Sequence, residues 1–156
     1  YLDYQLLHEM EKQLFPLALL YANEEQSVDG ITRLQKLIFL TQKESDEIDE
    51  EYEFKAGKYG PYSRPLYDDV DRLVKEGFVD ENVEKNPFGN EKQVYELTDK
   101  GKRTVENALS SVSGFREVEN AVEEIKQEYN NTGFTTLLEY VYETYPSMAV
   151  NSELNI

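Results

Sequence analysis

The sequence predicts an α+β, mainly α fold. Three observations carry this: long segments with apolar residues at helical spacing, one pair of short strand-forming segments around a turn-rich tip, and glycine, proline or hydroxyl residues at the junctions. At 156 residues, with no cysteine and a single histidine, the chain can bury a core without disulfides or metal. No apolar run approaches the roughly 20 residues of a membrane span. The start lacks the basic-then-apolar layout of a signal peptide, so a cytoplasmic protein is expected.

Residues 4–22 place Leu7, Met10, Leu14, Leu17, Leu20 and Tyr21 on one side of a first helix, which Pro16 either kinks or divides. A polar stretch, Asn23–Gly30, separates it from a second helix over Ile31–Gln42, with Ile31, Leu34, Leu37, Ile38 and Thr41 on one face and Leu34, Leu37 and Ile38 expected in the core. Glu44–Glu53 holds seven acids in ten residues, and their repulsion favours a loop. That run lacks the glycine and ligand spacing of a calcium loop, so no metal is expected there. Tyr52–Tyr59 is strand-like, and Tyr59–Ser63 reads as a turn in which Gly60 takes positive φ and Pro61 fixes the exit.

Ser63 should cap a third helix, with Pro65 in its first turn and Leu66, Val70, Leu73 and Val74 buried, stopping at Gly77. Phe78–Val83 and Gln93–Leu97 form a hairpin around the tip Asn86–Asn90, and Thr98 caps a fourth helix to about Ser110. Beyond Ser113-Gly114, Phe115, Val118, Val122, Ile125 and Tyr129, then Phe134, Leu138, Val141 and Tyr145, alternate steps of three and four. Two heptads each are too short for an independent coiled coil. The expected division is residues 1–112 as one domain and 113–156 as a two-helix extension, packed on it or forming a dimer interface.

The net charge of −16, taken whole, repels polyanions, but it is unevenly spread. Residues 1–53 hold 13 acids and 4 bases, residues 105–156 hold 9 and 2, and the middle, 54–104, holds 10 of each. All the net charge therefore lies in the flanks.

The order helix, helix, strand, helix, hairpin, helix is that of a winged helix-turn-helix. Tyr95-Glu96-Leu97-Thr98-Asp99-Lys100-Gly101-Lys102 resembles the wing-to-helix junction of bacterial and archaeal winged-helix regulators. Leu34-Gln35-Lys36-Leu37-Ile38-Phe39-Leu40, then Tyr59-Gly60-Pro61-Tyr62-Ser63 and Leu66-Tyr67, resembles a prokaryotic family typified by YwgA and, more distantly, the Panacea antitoxin domain. The ending Leu138–Pro146 resembles the YwgA-type C-terminus. These resemblances imply a winged-helix fold and a regulatory or toxin-neutralising setting, with no catalytic residues to carry over.

Two partners follow. Phe54–Tyr67 contains Lys55, Lys58 and Arg64 without an acid, interleaved with Tyr59, Tyr62 and Tyr67, and the helix start at Ser63 adds oriented N–H groups. These, with Lys85 and Lys92 on the wing and Lys100 after it, are the candidate contacts to double-stranded DNA. Against this, Asp68, Asp69, Asp71 and Glu76 outnumber Arg72 and Lys75 on the third helix, the sign opposite to that of a DNA-reading helix. The alternative is an adaptor or antitoxin-like module that offers its acidic flanks to a basic protein. A homodimer fits either reading. Neither needs a cofactor, and the chain carries no nucleotide-binding glycine motif and no cysteine nucleophile, so enzyme chemistry is not expected.

Overall fold

A computed structural model describes residues 2–154, with side chains from Glu11 onward. The Leu7, His8 and Met10 side chains lie outside the described residues.

Helix α1 (Leu2–Glu25) runs unbroken through the buried Pro16 and keeps helical backbone to Tyr21. Ala22 is then extended, and Asn23, Glu24 and Glu25 are left-handed, with φ of 54°, 57° and 60°. The chain leaves this bend through β1 (Val28–Asp29), a strand absent from the sequence reading. It pairs antiparallel with the second strand of the hairpin, Val28 opposite Tyr95 and Asp29 opposite Val94. Two residues carry too little periodicity to be seen; their partner strand creates them.

Helix α2 (Ile31–Glu44) lies at the centre of the molecule. Leu34, Leu37 and Ile38 are fully buried as the spacing predicts, and so is Thr41. The helix is nevertheless not amphipathic in use, since every residue from Arg33 to Gln42 is buried. Its polar side chains are internal hydrogen-bond donors and acceptors to backbone, which is how burial of such groups becomes tolerable.

After the acidic loop come β2 (Lys55–Gly57) and β3 (Gly60–Tyr62), paired antiparallel with Lys55 opposite Tyr62 and Gly57 opposite Gly60. This corrects the sequence reading: Tyr59–Ser63 is not a turn, and the turn of this hairpin is Lys58-Tyr59. Tyr52, expected in a strand, is instead a buried core residue.

Helix α3 (Arg64–Lys75) buries Leu66, Val70 and Leu73, while Val74 is only half-buried. β4 (Val79–Lys85) and β5 (Glu91–Leu97) form the long hairpin, giving a three-stranded sheet in the order β1-β5-β4. In α4 (Asp99–Ser111) the Thr98 hydroxyl accepts from Gly101 N–H at 3.1 Å. Gly101 has to be glycine, because a Cβ there would sit 2.2 Å from the Phe78 carbonyl oxygen.

Helix α5 (Phe115–Tyr129) packs on α1 and α2, burying Phe115, Val122 and Ile125. Helix α6 (Phe134–Thr144) buries Leu137, Leu138 and Val141 and is followed by a 3-10 turn over Pro146–Ala149. These residues join one core with those of α1 to α4. From α5, Lys126 Nζ donates to the Ala22 carbonyl at 2.8 Å and the Leu20 carbonyl at 3.3 Å. The Glu123 carboxylate accepts from Asn23 N–H, and Asn130 Nδ2 donates to the Ser27 carbonyl. The left-handed bend that feeds β1 is thus held from α5.

Candidate nucleic-acid interface

In a helix-turn-helix the connection between the two helices sets how the second is presented. Here it is long, residues 45–63, and two glutamines of α2 pin it. Gln42 accepts from Tyr52 N–H and donates to the Tyr52 carbonyl, both at 2.9 Å. Seven residues earlier, and so on the same side of the helix, Gln35 accepts from Ser63 N–H at 2.7 Å and donates to the Ser63 carbonyl at 3.0 Å. Each amide mimics a strand partner for the backbone. Sequence reasoning missed both; the one available signal is a pair of glutamines spaced i, i+7 on the helix.

Between these pins, Lys36 Nζ donates to the Pro61 carbonyl at 3.3 Å. Burial pushes the Lys36 pKa down to about 7. Gly60 rests directly on this side chain and on Leu138 of α6, with φ of +92°. The Tyr52 hydroxyl donates to Asp69 at 2.7 Å, tying the connection to α3.

This frame brings Lys55, Tyr62 and Arg64 together at the start of α3. Lys55 and Tyr62 are cross-strand partners, so their side chains share one face of the hairpin. Arg64 lies over the Tyr67 ring at 5.8 Å and bonds Asp68 at 3.0 Å. Asp68, and behind it Tyr62, hold the guanidinium pKa above its ordinary value. Tyr62 and Tyr67 are each 41% exposed and with the two cations make an aromatic and cationic patch.

The other predicted residues fare differently. Lys58 and Tyr59 occupy the hairpin turn, away from α3, and Lys58 pairs with Glu153 at 3.5 Å. Ser63 is a correction: it is 1% exposed, and its hydroxyl accepts from Leu66 N–H at 3.3 Å. It therefore shapes the helix start and presents no hydroxyl to a ligand. Lys85 lies on the wing face that also carries Val79 and Glu81, and pairs with Glu91 at 3.6 Å. Lys92 lies on the opposite face, held by Asp29 at 2.8 Å and Glu84 at 3.8 Å. Lys100 donates to the Glu76 carbonyl at 2.8 Å and stacks on Phe78, so it closes the end of α3.

The acids of α3 are largely answered from within: Asp68 by Arg64, Asp71 by Lys75 at 2.8 Å, and Asp69 by Tyr52. On the wing, strand alternation puts Asp80, Glu84 and Glu96 on the side away from α3. Tyr67, Val70 and Asp71 of α3 and Glu81, Gln93 and Tyr95 of the wing line one shallow cleft. Among the described residues no acidic or histidine cluster is arranged to hold a metal ion, and no helix is long and apolar enough to cross a membrane.

A helix presented beside a β4–β5 hairpin, with β1 closing the sheet and α4 following it, is a winged helix. Residues 39–107, from the second half of α2 to the last turns of α4, match the family model described as the transcriptional regulator PadR-like family. Over that segment the chain is similar to winged-helix transcriptional regulators. No curated protein matches the chain.

Proposed function

We propose that this protein is a DNA-binding transcriptional regulator that sets α3 against duplex DNA, with Lys55, Tyr62, Arg64 and Tyr67 on the phosphates and sugars at the helix start. The observation that carries the reading is the gathering of those four residues at one exposed helix N-terminus in a segment without acids. Cations and phenol hydroxyls are donors that phosphate contacts use. The PadR-like match over this segment supports it. In this reading residues 1–112 read the duplex, and the extension over 113–156 braces the domain and offers a surface for a second copy.

The test is a shift assay with random-sequence duplex across a salt series. Replacing Lys55 and Arg64 by Ala should weaken binding to all sequences alike and reduce the slope of log affinity against log salt by roughly 2. An unchanged slope rejects these contacts, and no binding by the parent at low salt rejects the DNA reading.

The acidic loop favours a second reading. Glu47, Asp49 and Glu50 project from residues 45–53 as exposed carboxylates, and the likeness to YwgA-type proteins and the Panacea antitoxin domain fits a module that docks a basic protein. Neutralising these acids should then slow association with that partner while leaving duplex binding intact.

A further inference from the structure

The wing ends in the least covered large apolar side chain among the described residues. Phe88 is 89% exposed, and the tip that carries it is built. The Asn86 side-chain oxygen accepts from Phe88 N–H at 2.9 Å and Asn90 N–H at 3.0 Å. Asn86 N–H reaches the Asn90 carbonyl and Gly89 N–H the Asn86 carbonyl, each at 2.9 Å. Pro87 restricts the backbone further, and Gly89 supplies the positive φ of +82°. The ring is thereby held out from the strands instead of folding back on them.

Residues 86–90 carry no charge. The strands behind them are seven residues long and extend about 20 Å. With α3 in a major groove, that length is comparable to the distance to the neighbouring minor groove, about half of a 34–36 Å helical turn. The wing face turned toward α3 also carries exposed Val83, with Lys85 paired to Glu91 beside it and Glu81 nearer α3.

We propose that Phe88 is an apolar wedge that enters the minor groove and stacks against a base step, partly unstacking and bending the duplex. The proposal rests on the DNA reading above. It makes Phe88 a determinant of deformability preference, favouring sites with a flexible pyrimidine–purine step under the wing. A second copy of the chain would instead bury the ring in protein, but Phe88 and Val83 are the exposed large apolar side chains of the hairpin among the described residues, little for an interface that buries about 800 Å² per partner. The uncharged, narrow tip, with Lys85 and Lys92 at its base matched by Glu91 and Glu84, suits a groove better.

The chain has no tryptophan, so Phe88→Trp installs a single indole reporter at the tip. Titration with random-sequence 30-base-pair duplex at low salt should quench its emission. Phe88→Ala should lose on the order of ten-fold in affinity, as expected for one stacked base, with an unchanged salt slope because no phosphate contact is removed. A circular-permutation bending assay should show a smaller bend for Phe88→Ala. Parent-like affinity and bend in Phe88→Ala, or no quenching of the indole, with duplex binding intact, overturns the wedge and leaves the DNA reading standing. Emission that changes with protein concentration in the absence of DNA, together with a dimer by sedimentation, assigns the ring to a second copy and overturns it too. Absence of duplex binding by the parent removes both proposals.

Discussion

Gly60 is where the hairpin bearing Lys55 and Tyr62 rests on the rest of the molecule, and Gly60→Ala probes that seat. Two costs add. At φ of +92° an L-residue pays about 1–2 kcal/mol of backbone strain. The new Cβ would also lie 2.6 Å from Leu138 Cδ1 and 2.9 Å from Lys36 Cε, and forcing both buried side chains aside costs about 1–3 kcal/mol. The sum is about 2–5 kcal/mol, a fall in Tm of about 5–15 °C for a chain of this size. Gly77→Ala supplies the control, since Gly77 has φ of +85° with nothing within 4 Å, so only the strain applies and Tm should fall by about 2–6 °C. Circular-dichroism melts of parent and both variants decide it. If Gly60→Ala melts no lower than Gly77→Ala, the contact with α2 and α6 is not what makes glycine necessary.

Two further outcomes follow from buried and paired lysines. Burial takes the Lys126 pKa from its ordinary 10.5 down to about 7, against the opposing pull of Glu123 and Glu25. The unfolded chain then binds more protons between these values, so stability rises with pH from about 7 upward. Urea midpoints measured from pH 7 to 9 should climb in the parent and climb less in Lys126→Met; equal slopes would refute the assignment. At the hairpin turn, Glu153 holds Lys58 by its carboxylate and donates its N–H to the Lys58 carbonyl at 3.0 Å. Releasing the cation with Glu153→Gln should raise affinity for duplex at low salt by roughly two- to five-fold, within the range of an exposed ion pair, and a shift assay showing no gain would place Lys58 outside the interface.

The sequence by itself determined the elements whose signals are local. Ser63 and Thr98 cap their helices because a hydroxyl before an apolar period satisfies orphan N–H groups in any context. Asn86–Asn90 closes a hairpin, Gly60 has positive φ, and Phe115 to Tyr145 reach the core at helical spacing. The cluster of Lys55, Tyr62, Arg64 and Tyr67 was legible as a basic, acid-free segment within a charge-balanced middle between acidic flanks. What the tertiary structure decided depends on partners distant in the chain. Strand β1 exists because β5 offers it hydrogen bonds. Gly60–Tyr62 became a strand because Lys55–Gly57 pairs with it and Gly60 lets it lie close to Lys36 and Leu138, which moves the turn to Lys58-Tyr59. Gln35 and Gln42 became the struts of the α2–α3 connection because a helix buried on every side has to return each polar group to a backbone partner, and no periodicity within the helix names that partner. The same reason separates the predicted cations: a lysine's charge is written in the sequence, but whether it meets a carboxylate, as Lys92 does, a helix end, as Lys100 does, or open solvent is set by which strands and helices fold beside it.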